Sequence, residues 1–320
     1  MKPTKIMATR DTSAVLMLVT LWIAAPGPAG AQAGRGSSTA PGVRAIGPAN
    51  GQFADLPGVR LWYTDTGGKG EAVLLLHANT GTSENWRPQL DALSRAGHRV
   101  IAFDRRGWGR SVVDLGSGSQ PGTTADDLQA LADFLALQKF HLIGVAGGGF
   151  IALDYAAWHG DRLRSLVVAA STGSLADKEI VDFSSRIAIP GLRDLPAHYR
   201  EVGASYRGEN PEGLRRWIEI EAHARQPGAP AQPLRSPNTF EKLATIEVRT
   251  LVMPGEADLI APPALMKIWA PYLKNAEWTS VPDAGHAIAW ERPDVFNAKV
   301  IRFLKGGSFE RVEHRPPATQ

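Results

Sequence analysis

Three stretches carry residue types that could do chemistry. Asp258 ends Pro254-Gly255-Glu256-Ala257-Asp258, directly after the apolar run Arg249–Met253. A carboxylate just past the C-terminal end of a parallel strand sits where open α/β sheets hold ligands. His286 ends Pro282-Asp283-Ala284-Gly285-His286, after the run Ala276–Val281. Imidazole is the side chain able to act as a base near neutral pH. The third stretch, Phe140–Tyr155, reads FHLIGVAGGGFIALDY. An apolar run there meets a glycine cluster and then a helical pattern, so the strand must turn sharply into the helix. Such a turn lifts one side chain clear of the sheet and aims the first helical N–H groups at whatever lies above.

The elements that position these residues follow an α/β rhythm. Val59–Thr64 alternates and breaks at Gly67-Gly68, which predicts an antiparallel edge strand. Ala72–Leu76, Val100–Phe103 and Leu166–Ala170 are continuous apolar runs of the kind buried on both faces of a parallel sheet. Trp86–Ala96 has helical spacing, and a helix from about Ala125 carries Thr124 and Asp127 as a capping box, with Leu128, Leu131, Phe134 and Leu135 as its apolar face. Strand, helix, strand implies right-handed crossovers and a mostly parallel, doubly wound sheet. Residues 173–240 break the rhythm with several prolines and the short amphipathic pieces Leu195–Tyr206 and Glu212–Ala224, and Pro293–Leu304 closes as an amphipathic helix.

The N-terminus carries a compartment signal. Lys2, Lys5 and Arg10 precede the apolar run Ala14–Ala25, and small residues up to Ala33 follow. That order reads as a secretory signal peptide over residues 1–33, and it places the mature chain in the periplasm or outside the cell, free of the membrane after cleavage. Residues 34–54 read as a flexible lead-in and 306–320 as a disordered tail. The same N-terminal charges, with Asp11, account for +2 of the net +3. The remainder gives no case for a nucleic-acid partner. There is no cysteine, hence no disulfide, thiol nucleophile or thiolate metal site. His77, His141, His159 and His286 are dispersed, so no metal site is indicated. Glycines 147–149 lack the dinucleotide fingerprint, so no cofactor is implied.

Over residues 55–305 the chain resembles the α/β-hydrolase superfamily. Aligned on its glycines, the stretch after Ile143 matches the nucleophile elbow G-x-S-x-G, with Gly144 first, Gly148 last and Ala146 at the nucleophile position. Asp104-Arg105-Arg106-Gly107-Trp108-Gly109-Arg110-Ser111 matches the loop D-x-R-G-x-G-x-S, which braces the elbow. His286 lies in G-H-x-x-x-x-E-x-P, with Glu291 and Pro293 in register. The resemblance implies the chain order nucleophile, acid, histidine as Ala146, Asp258 and His286. It also implies an oxyanion hole from the N–H groups of Asn79 and Gly147, residues 55–172 and 241–305 as the core, and residues 173–240 as a helical cap. Within that cap, Tyr206 and Trp217 are the substrate-binding candidates.

On these residues the chain reads as an enzyme acting on a small carbonyl-containing substrate, an ester, lactone or β-dicarbonyl. Asp258 orients His286 as a general base, and no serine attacks. Two alternatives stay open: a ligand-binding protein on a hydrolase scaffold, and a serine hydrolase whose serine has been replaced by Ala146. Thr80, Thr82, Ser83, Ser171 and Thr172 are the hydroxyls near enough in sequence to substitute as nucleophiles, each with a simpler use in a turn or cap.

Overall fold

A computed structural model describes residues 51–317; the signal-peptide stretch and most of the lead-in lie outside the described residues. Ten strands form one sheet: β1 (Gly51–Leu56), β2 (Val59–Asp65), β3 (Ala72–Leu76), β4 (Arg99–Phe103), β5 (Val112–Val113), β6 (Phe140–Val145), β7 (Leu163–Ala169), β8 (Thr250–Met253), β9 (Ala276–Trp278) and β10 (Glu310–Arg311). Their order is β1-β2-β4-β3-β6-β7-β8-β9-β10, with β5 on β2. Pairing is parallel from β4 through β9 and antiparallel at β1, β2, β5 and β10.

Side-chain alternation explains the unbroken apolar runs. In β3, Ala72, Leu74 and Leu76 join the core on one face while Val73 and Leu75 join the core on the other. Helices α1 (Arg87–Arg95), α2 (Thr124–Phe134) and α3 (Gly147–His159) follow β3, β5 and β6. Between β7 and β8 lies the cap, with α4 (Lys178–Ile187), α5 (Ala197–Glu201), α6 (Ala204–Glu209), α7 (Pro211–Ala222) and α8 (Phe240–Leu243). Ala197, Val202, Tyr206 and Trp217 give the cap a small core of its own. α9 (Pro263–Trp269), α10 (Ile288–Glu291) and α11 (Pro293–Leu304) complete the chain.

The chain moves outward from β3 to β4, then crosses back over β3 to β6, so strand order reverses between β3 and β6. Their register pairs Leu76 with Gly144, which brings the loops after both strands side by side at the switch point where such sheets hold ligands.

Three local expectations are corrected. β1 begins at Gly51, inside the lead-in, because Gly51–Leu56 pairs residue for residue with β2. Glu310 and Arg311 pair with β9, so the tail is not wholly without structure. The cap of α2 is Thr123, whose hydroxyl accepts from the Asp126 N–H at 3.1 Å. The capping pattern fits one residue earlier, and Asp127 is instead held by Arg106 in a buried ion pair at 2.6 Å.

Candidate active site

The turn from β6 into α3 has the predicted sharpness. Ala146 sits at φ 50°, ψ −116° between Val145 and Gly147, a left-handed φ that costs a residue with a Cβ about 1–3 kcal/mol. The surroundings fix it: Ala146 N–H donates to Ala169 O (2.9 Å), and its carbonyl accepts from Gly149 N–H (3.0 Å) and Ser171 Oγ (2.8 Å). Close approach explains the flanking glycines. A Cβ at Gly144 would lie 2.3 Å from Gly148 O, and one at Gly148 would lie 2.2 Å from Leu76 O.

Asp258 and His286 meet. Nδ1 of His286 lies 2.8 Å from Oδ2 of Asp258, and a carboxylate only accepts, so Nδ1 carries the proton and Nε2 is left as the acceptor. Asp258 Oδ1 accepts from the N–H groups of Ile260 (2.8 Å) and Ala261 (2.9 Å), which fixes the carboxylate. Burial pushes the imidazole pKa down, but the charge and hydrogen bond of Asp258, with Glu201 and Glu291 adding, outweigh it and the net shift is upward. Glu291, the acid of the His286 motif, accepts from the N–H groups of Gly285 (2.8 Å), Ala287 (3.1 Å) and, in the cap, Gly203 (3.0 Å).

Ala146, Gly147, Asn79, Thr80, Glu201 and His286 line one hollow of about 200 Å³. Among the described residues, the N–H groups of Asn79 and Gly147 have no protein acceptor, as an anion site requires. The loop bearing Asn79 is braced from behind. Trp108 Nε1 donates to Asn79 O at 2.8 Å, and Arg105 donates to Ala78 O (3.2 Å) and Asn79 Oδ1 (2.9 Å). Arg105 is buried with no carboxylate among its partners; burial, then the charge of Arg225, pushes its guanidinium down to about 9. Both arginines pack on the Trp108 ring, 4.2 Å and 4.1 Å from its centroid. Asp104 braces the other side, accepting from Ser83 N–H (2.7 Å) and Arg110 N–H (2.8 Å).

Of the two cap candidates, Trp217 reaches the site and Tyr206 does not. Trp217 lines a narrower hollow of about 40 Å³ that adjoins the first through Ala78, Thr80, Glu201 and His286, and Trp86 and Trp290 are also in its walls. Tyr206 borders neither hollow; its hydroxyl accepts from Asn210 Nδ2 at 3.2 Å and its ring belongs to the cap core. The site also holds a residue that sequence patterns did not single out, Glu201. Its carboxylate accepts from Thr80 Oγ1 at 2.5 Å. No local signal marks it, because its partner lies 121 residues away. Thr82 and Ser171 serve local turns and Ser83 is buried with its N–H on Asp104, whereas Thr80 and Thr172 border the wider hollow. Among the described residues no group of three or more metal-ligating side chains occurs, and no helix is long and apolar enough to cross a membrane.

A base held by a carboxylate, facing two free N–H groups above a strand-to-helix turn, defines the class. Residues 73–299 match the alpha/beta hydrolase family, and the chain belongs to it. It is 32% identical over 246 residues to the RutD protein of Variovorax paradoxus (strain S110), covering 73% of this chain and 92% of that one. It is 28% identical over 274 residues to the 2-hydroxy-6-oxononadienedioate/2-hydroxy-6-oxononatrienedioate hydrolase of Burkholderia vietnamiensis, covering 77% and 91%. Among solved structures it resembles a thermophilic esterase from Thermogutta terrifontis, with TM-score 0.66, 27% identity and 79% and 98% of the two chains covered. The enol-lactonase from Burkholderia xenovorans LB400 also has TM-score 0.66, at 25% identity, with 79% and 100% covered.

Proposed function

We propose that this hydrolase-like protein cleaves a small carbonyl substrate, an ester, lactone or β-dicarbonyl, by general-base catalysis on water without a covalent intermediate. The carrying observation is the Asp258–His286 pair at 2.8 Å, with the imidazole bordering the same hollow as Ala146, Asn79 and Gly147. In this reading His286 Nε2 takes a proton as the water oxygen bonds to the carbonyl carbon. The displaced electron pair goes to the carbonyl oxygen, which the N–H groups of Asn79 and Gly147 hold. Collapse of the tetrahedral species expels the leaving group, which recovers the proton from the imidazolium. The hydrolase, esterase and lactonase names of relatives support the reaction class. The test is a panel of p-nitrophenyl esters, lactones and β-dicarbonyls with the parent chain and His286→Ala. Loss of about 10²–10⁴ in kcat/KM is expected; turnover that survives the substitution refutes the reading.

One observation favours a second reading, a serine hydrolase whose serine has been replaced. The strained φ of Ala146 is retained although a methyl group draws no chemistry from it. Ala146→Ser then yields vigorous p-nitrophenyl ester cleavage, and an inert revertant counts against it. We further propose export of the mature chain, supported by the basic, apolar and small segments of residues 1–33. Sequencing the N-terminus of the secreted or periplasmic protein tests this, with cleavage after Ala31 or Ala33 expected.

A further inference from the structure

Helix α5 of the cap ends on Glu201, which is only 8% exposed and lies where the two hollows join. Oε2 accepts from the neutral hydroxyl of Thr80. Among the described residues Oε1 has no hydrogen-bond partner and the carboxylate forms no ion pair, yet Oε1 is not sealed off from the space beside it. A buried carboxylate is costly unless a cation or further donors complete it. Here the protein supplies one hydroxyl, and Glu201 borders an apolar lobe walled by Trp86, Trp217 and Trp290. Indole rings attract cations as well as alkyl groups. Arg200 borders only the wider hollow, with Nε on Leu195 O at 3.1 Å, Arg105 is committed to the Asn79 loop, and His286, on which the Glu201 charge acts, is the titratable group that shares both hollows with it.

We infer that Glu201 and the tryptophan-walled lobe form a cation subsite that takes a short alkylammonium group on the non-reacting arm of the substrate. The inference adds a substrate class to the proposed function and relies on that function only for the carbonyl end. His286 borders both hollows, so the neutral imidazole, the form competent as a base, is the form compatible with a cation bound there.

The test reads binding rather than turnover, so the two proposals fail separately. The full chain is titrated by calorimetry with choline and with its neutral isostere 3,3-dimethylbutan-1-ol. Choline is expected to bind at least about tenfold more tightly than the alcohol, in the range of a desolvated cation–π and carboxylate contact. Glu201→Gln keeps an acceptor for Thr80 and removes the charge, and should abolish most of that preference. Glu212→Gln, an exposed carboxylate on α7, should leave it intact. Equal affinities for the two probes in the parent chain, or a preference that Glu201→Gln leaves unchanged, overturns the inference. Loss of the preference in Glu212→Gln as well would reveal general surface attraction and overturn it too.

Discussion

Asp258→Asn separates a working base from a histidine that is merely buried. Asp258 commits Oδ1 to the N–H groups of Ile260 and Ala261 and Oδ2 to His286 Nδ1. Asparagine can still accept from both backbone donors, so no buried N–H is orphaned and the fold should hold. Its NH₂ group, however, then faces the Nδ1–H of His286. The imidazole is relieved only by moving its proton to Nε2, the atom that must accept. Loss of a charge-assisted hydrogen bond alone costs about 1.5–3 kcal/mol, roughly ten- to hundredfold. Removing the base altogether brings the loss in kcat/KM to about 10²–10⁴. The same substitution removes the main force holding the pKa up. His286 titrates above its usual 6.5 in the parent, and with the Asp258 charge gone, burial carries the value downward. Long-range ¹H–¹⁵N NMR of histidine-labelled protein reads both tautomer and titration whether or not a substrate is in hand. The reasoning fails if His286 keeps its Nδ1–H tautomer and its titration midpoint in Asp258→Asn.

Gly148→Ala should lower stability by about 1–3 kcal/mol or more in urea unfolding, since its Cβ would lie 2.2 Å from a backbone oxygen that cannot rotate away; an unchanged midpoint would refute that packing argument. Arg106→Met leaves Asp127 buried with Gln232 as a remaining side-chain partner and should cost about 3–5 kcal/mol, or roughly 6–20 °C in Tm. The double variant with Asp127→Leu should recover much of that loss, and a single-variant cost below about 1 kcal/mol would contradict the buried-pair account. For His286, whose folded pKa is raised, protonation stabilises the fold below the unfolded value, and that contribution disappears as pH rises through the folded value. The stability gap between the parent and His286→Gln should therefore be largest near pH 5.5 and shrink toward alkaline pH, as read by denaturant titration; a gap that widens reverses the sign and defeats the argument.

What was legible in advance followed from locality. Ala72–Leu76 declares a doubly covered sheet because every residue in it is apolar, and Phe140–Ile143 does so with His141 as its one polar residue. The elbow glycines, Asp258 and the His286–Glu291 spacing are short-range patterns tied to strand ends. The misses came from long-range partners. Asp127 looked like part of a helix cap until Arg106, 21 residues earlier, claimed it. Tyr206 shares the aromatic character of Trp217 and both join the cap core, and only the tertiary packing lets Trp217 also border a hollow. Glu201 sits in a helix of five residues, too short for periodicity to reveal an inward-facing carboxylate.

The three backbone amides gathered by Glu291 have a mechanical consequence. One belongs to the cap between α5 and α6, and two flank the imidazole. A lid riveted to the base at this point cannot swing wide without dragging the histidine out of alignment. Changes that graft a new cap onto this scaffold are therefore expected to keep the imidazole in place only when they preserve the attachment.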